Sequence, residues 1–171
     1  GLTVEVFGLS TTHTDINSTI AQATDPNDVC TGGGTGVYTY TFTLGNNVSA
    51  FKAHVNVGGN DLDLFLAYSA TGTPSCPSGV IASSTKSAGS DDEVSVSFPK
   101  AGNYMVVIQG FTVSPNPSPF TWYWERTDLD NSVAMRNADL SINPSKPATF
   151  ELYNAPGACN DATARCSQGI I

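Results

Sequence analysis

Polar and apolar residues alternate along most of this chain. In Tyr38-Thr39-Tyr40-Thr41-Phe42-Thr43-Leu44 every even position is apolar and every odd one is threonine. That period of two predicts a strand with one buried face and one wet face. Phe51-Lys52-Ala53-His54-Val55-Asn56-Val57 repeats the pattern on odd positions, and Val94-Ser95-Val96-Ser97-Phe98 on even ones. Residues 62–68, 104–108 and 120–125 complete the long candidates, with shorter ones at 2–7, 80–83, 140–143 and 149–153. Turn residues separate them, as in Gly45-Asn46-Asn47 and Gly58-Gly59-Asn60-Asp61. No window sustains helical spacing; residues 18–23 and 131–138 are expected to hold a single helical turn each at most. Eight to ten short strands joined by turns imply an all-β fold, an antiparallel β-sandwich of jelly-roll type.

Two segments depart from clean alternation. Phe65 and Ala67 add apolar residues to the outward set of 62–68, and Met105 and Val107 do so in 104–108. A strand apolar on both faces needs cover on both. The expected cover is the N-terminal strand, the C-terminal segment or another chain, which makes Phe65 and Met105 candidate surface contacts. Phe120, Trp122 and Trp124 share one face, read as core, so Tyr123 on the other is the better candidate for an exposed contact.

Composition narrows the function. The 171 residues carry a net charge of −8, and only 13% are charged. So acidic a chain repels phosphate and offers no basic stripe, which excludes nucleic-acid binding by charge. No apolar run approaches membrane-spanning length. The four cysteines, Cys30, Cys76, Cys159 and Cys166, show neither C-x-x-C pairs nor zinc-ligand spacing. Their even number in a Ser/Thr-rich, Lys-poor chain points to disulfides and a secreted, extracellular protein. Of the three possible connectivities, Cys159–Cys166 with Cys30–Cys76 is favoured, since the first closes a short loop. The opening Gly1-Leu2-Thr3, without an initiator Met, reads as the product of removing a targeting segment or upstream domain. Sequons at Asn17 and Asn47 are compatible with export.

Catalytic signatures are missing. There are two histidines and neither a G-x-S-x-G nor an H-E-x-x-H run. His54 lies on the polar face of its strand, and His13-Thr14-Asp15 reads as a mobile, Thr-rich loop in preference to part of a metal or acid/base site. No enzyme activity is expected.

From about residue 38 to 126 the motifs fall in a recognisable order. Asp61-Leu62-Asp63-Leu64-Phe65-Leu66 is followed by Ala82-Ser83-Ser84 and then Asp91-Asp92-Glu93-Val94-Ser95-Val96-Ser97-Phe98. Gly102-Asn103-Tyr104-Met105-Val106-Val107-Ile108-Gln109-Gly110 and Phe120-Thr121-Trp122-Tyr123-Trp124 close the run. This order resembles the bacterial pre-peptidase C-terminal domain. The resemblance implies a non-catalytic β-sandwich, found after the catalytic domain of secreted subtilisin-like and other proteases, and linked to substrate adhesion, calcium-assisted stability and secretion. It divides the chain into an N-terminal strand and connector at 1–29, a core at 30–127 and an extension at 128–171. The ends, and the cysteines, have no counterpart in the family pattern.

Calcium needs six to eight oxygen ligands. Asp25, Asn27 and Asp28 cluster three such side chains where collagen-binding members of the family carry ligands; the alternative is local turn capping. Asp91-Asp92-Glu93 and the Asp61/Asp63 pair are lesser acidic groups. The leading functional expectation is a module that binds a protein or polysaccharide surface, or stabilises its parent protein. The alternative is a subunit of an extracellular filament or surface assembly. There Leu2, Val4 and Phe7 of a donated strand pack on another copy, with residues 8–12 as a flexible connector. Whether that strand packs on its own core or on a neighbour is open at this stage.

Overall fold

The computed structural model describes residues 8–130, 133–136, 151–154 and 165–167, with side chains described over 10–129. The strands are β1 (Gly8–Ile20), β2 (Val37–Leu44), β3 (Val48–Asn56), β4 (Asp61–Ser69), β5 (Val80–Ser84) and β6 (Asp92–Ser97). They continue with β7 (Gly102–Thr112), β8 (Ser118–Asp130), β9 (Val133–Arg136), β10 (Glu151–Asn154) and β11 (Arg165–Ser167). One sheet has the order β2-β7-β4-β5 and the other β11-β1-β8-β3-β6, while β9 and β10 form a separate hairpin. The chain divides into two compact units. His13–Arg126 is one; Gly1–Thr12 with Thr127–Ile171 is the other. The first takes four strands from each sheet and is the antiparallel β-sandwich that alternation implies. In the second, Leu9, Ser10 and Thr11 pair with Ser167, Cys166 and Arg165, and β9 pairs with β10.

The strand inventory corrects several expectations. Among the described residues strands number eleven, and β1 and β8 run to 13 residues each rather than being short. Residues 8–12 are not a flexible connector, and His13-Thr14-Asp15 is not a loop, because both lie inside β1. Of the expected helical turns, 18–20 are instead the end of β1 and 21–23 are in no helix, while 133–136, the described part of 131–138, are β9. The physical reason is visible in β1. Thr14, Ile16, Ser18 and Ile20 are the less exposed set and His13, Asp15, Asn17 and Thr19 the exposed one. Two of the four inward residues are polar, so the period of two is present in space but blurred in hydropathy. β-branched Thr and Ile favour extended backbone regardless.

Between the sheets lies the main core. Phe51, Ala53, Val55 and Val57 from the β3 side meet Leu62, Leu64 and Leu66 of β4 and Tyr104, Val106 and Ile108 of β7, all essentially excluded from solvent. Phe120 and Trp122 of β8 join them, as their shared face implied. Each fully buried aliphatic or aromatic side chain contributes roughly 1.5–3 kcal/mol, so this core dominates the stability of the unit.

A second, smaller core sits on the other face of β4 and β7. It consists of Cys30, Phe65 and Val107, with Val37, Cys76, Val80 and Met105 packed around them. This resolves why those strands are apolar on both faces. Among the described residues, the cover comes from the loops that carry Cys30 and Cys76, with Val37 of β2 and Val80 of β5 at its margins. A disulfide joins those two cysteines across 46 residues of sequence, with Cα atoms 5.6 Å apart. The favoured pairing for Cys30 and Cys76 therefore holds, while Cys159 lies outside the described residues.

Candidate functional site

Gln109 of β7 faces the stapled loops and is fully buried. Its Oε1 accepts from the Cys30 backbone N–H at 2.7 Å, and its Nε2 donates to the Pro26 carbonyl at 2.8 Å. Ala23 N–H donates to the Gly110 carbonyl and Gly110 N–H to the Gly36 carbonyl, at 2.8 and 2.9 Å. At Gly36 the backbone takes φ 71°, and an added Cβ would stand 2.3 Å from the Ala23 nitrogen. Only glycine allows that close approach. The segment carrying Asp25, Asn27 and Asp28 is thus pinned from both ends.

Within it, the acidic side chains are engaged in turn capping. Asp25 Oδ1 accepts from Asn27 N–H at 3.0 Å, Thr31 Oγ1 donates to Asp28 Oδ2, and the Asp28 carbonyl accepts from Gly32 N–H at 2.8 Å. Among the described residues, no three His, Cys, Asp or Glu side chains are grouped as a metal site. The lesser acidic residues converge at another place. Asp92 is fully buried, and its Oδ1 accepts from Ser84 Oγ and, at 3.1 Å, from Lys86 N–H. Asp63, buried nearby, is pushed up to about 6 by its burial, then by the Asp61 and Asp92 charges. Burial, followed by Asp92, also raises Asp61.

The predicted surface contacts divide. Phe65 is only 5% exposed, packed beneath the stapled loops, so it is not a contact residue. Met105 is half-buried against the same cluster and does not stand free either. Tyr123 is different. On β8 it stands between His13 of β1, at 4.7 Å between ring centroids, and His54 of β3, at 4.9 Å and only 18° from parallel. Lys52 Nζ lies 5.3 Å from the Tyr123 ring centre, within cation–π range. The sheet order β1-β8-β3-β6 sets the three rings side by side, and Glu93 of β6 follows opposite His54.

Carboxylates tie this row together. His13 Nδ1 meets Glu125 at 3.0 Å and its Nε2 meets Asp15 at 3.1 Å. Lys52 Nζ reaches Glu125 at 2.9 Å, while His54 meets Glu93 and Asp91, both at 3.3 Å. The Glu125 and Asp15 hydrogen bonds hold the His13 imidazole above its ordinary value. Lys52 and His13 in turn hold Glu125 below the usual carboxylate range. Alternation placed Lys52 and His54 on a wet face; it gave no sign that Glu125, Tyr123 and His13 would join them, because strand order is not written in periodicity. Gln109 was likewise missed: a polar residue after Ile108 looks like the end of a buried run.

Both ring nitrogens of each histidine face carboxylates, and among the described residues neither ring bonds a hydroxyl or thiol. Leu2, Val4 and Phe7 lie outside the described residues. Asn17 is exposed on β1, and Asn47 is exposed in the turn between β2 and β3. Among the described residues no helix is long and apolar enough to cross a membrane.

These features define an all-β sandwich with one sheet face covered by its own stapled loops and the opposite face carrying an ion-paired ring row. No protein-family model and no curated protein sequence matches the chain. Among solved structures it is similar to Aeromonas hydrophila PliG, a periplasmic lysozyme inhibitor of g-type lysozyme. That similarity has 10% identity and a TM-score of 0.36, over 74% of this chain and 93% of that one.

Proposed function

We propose that this chain is a non-catalytic, extracellular β-sandwich module of the pre-peptidase C-terminal type that binds a protein or polysaccharide surface through the outer face of β1, β8 and β3. One observation carries the reading: Tyr123 is held between His13 and His54, with Lys52 against its ring. A rigid aromatic flanked by paired charges supplies contact area at low entropic cost and polar groups that set orientation. Extracellular placement is supported by the Cys30–Cys76 disulfide. The test is retention in native gels cast with soluble polysaccharides and on immobilised secreted proteins. Wild type is retained on at least one matrix and Tyr123→Ala is not; equal mobility of both proteins on every matrix rejects the reading.

A second reading, a subunit of an extracellular assembly, is favoured by a different observation. β2 forms an edge of its sheet, and among the described residues nothing pairs with its outer side.

A further inference from the structure

Beyond the row of His13, Tyr123 and His54 the outer face of β1, β8 and β3 falls away. Side chains on one face of a strand recur every second residue, roughly 6.6 Å apart. Two residues past the rings stand Thr121 of β8 and Asn56 of β3; four past them stand Pro119 of β8 and Asn17 of β1. With Gly58, they line a shallow depression of about 300 Å³ within the His13–Arg126 unit. That volume is at the lower end of the roughly 300–1,000 Å³ of small-molecule sites. The fall in side-chain bulk, from rings and long ion-paired chains to glycine, proline, threonine and asparagine, opens it.

We propose that this depression seats one unit of an uncharged polysaccharide, the polymer running on across Tyr123; this rests on the reading that the outer face of β1, β8 and β3 is the binding surface. No residue lining the depression is charged, although ion pairs crowd the row beside it. Asn56 Oδ1 accepts from Gly58 N–H at 3.1 Å, which fixes the amide and leaves its Nδ2 to donate. The Asn17 amide and the Thr121 hydroxyl bond no other described residue. Neutral groups that donate and accept, set beside the carbon surface of Pro119 and Gly58, match the hydroxyls and C–H faces of a sugar ring. A peptide fits less well. Extended peptides are captured by adding to a sheet edge, whereas β8 and β3 are interior strands with a neighbour on each side.

Native affinity gels test this on the full chain, cast with uncharged β-glucan, glucomannan, pullulan or dextran, with charged polygalacturonate, or with immobilised casein. Wild type is expected to be retarded by at least one uncharged polymer and by neither polygalacturonate nor casein. Asn56→Ala/Thr121→Ala, which removes bonding groups, and Thr121→Trp, which fills the depression, should each weaken retardation at least tenfold. Thr41→Ala on the opposite sheet should change nothing. All three positions are exposed, and near-UV circular dichroism checks that each variant is folded. If Tyr123→Ala abolishes retardation and the depression variants do not, the seat is overturned while the outer face stands as the binding surface. Retardation by casein or polygalacturonate alone, lost in Tyr123→Ala, overturns the uncharged ligand and leaves that face standing. Wild type unretarded by every matrix overturns both.

Discussion

Gln109 holds Cys30 in place: its side-chain oxygen accepts the Cys30 backbone N–H at 2.7 Å on the covered face of β7. The same amide's nitrogen donates to the Pro26 carbonyl, so one buried side chain satisfies two backbone groups of a loop that has no ladder of its own. Replacing it with leucine keeps the bulk and leaves both groups unpaired. Gln109→Leu is expected to cost about 1–3 kcal/mol in urea unfolding, the penalty of unsatisfied buried polar groups. An unchanged midpoint would show that the loop finds other partners.

The disulfide beside it closes 46 residues. By chain entropy its removal costs about 4 kcal/mol, and Phe65 should lose its cover. Cys30→Ala/Cys76→Ala is expected to melt lower and to bind a hydrophobic dye in its native state. Absence of dye binding would argue that the loops stay seated without the crosslink.

Asp63 gives the protein an unusual pH dependence. Its carboxyl is pushed up to about 6 from an ordinary 3.8, chiefly by burial. The folded state therefore holds this proton more tightly than the unfolded one, so its contribution is greatest below about 3.8 and declines as pH rises through 6. At neutral pH the ionised side chain is therefore a net cost to the folded state. Asp63→Asn is expected to be more stable than wild type at pH 7.5, with the advantage shrinking towards pH 4. Parallel urea curves across that range check it, and a pH-independent difference would reject it.

His13 titrates in the same direction at higher pH. Glu125 and Asp15 raise it above 6.5, so the stability it adds is complete below that value and fades as pH climbs through the folded pKa. In NMR titration its midpoint should fall towards 6.5 in Glu125→Gln. A midpoint that does not move would mean the Glu125 contact is absent in solution.

Capping by Asp28 gives a further expectation. If its carboxylate serves only the Thr31 hydroxyl, Asp28→Ala lowers the melting temperature equally with and without a calcium chelator. A loss of chelator sensitivity on mutation would instead assign an ion to Asp25, Asn27 and Asp28.

The class of fold was legible in the chain because burial in a two-layer sandwich imposes a period of two directly on each strand. The Thr39-Thr41-Thr43 and Phe51-Ala53-Val55 series show it without any knowledge of partners. The cover over Phe65 and Val107 was legible as a need but not as a solution. Hydropathy records that a face is dry, while which loop dries it depends on contacts such as Gln109 to Cys30, 79 residues apart. β1 was hidden for a related reason, since Thr14 and Ser18 turn inward and their polarity masks a periodicity that only space restores. The ring row of His13, Tyr123 and His54 belongs wholly to the tertiary structure. Each strand specifies which way its own side chains point, but hydrogen bonding between distant strands decides whose side chains become neighbours.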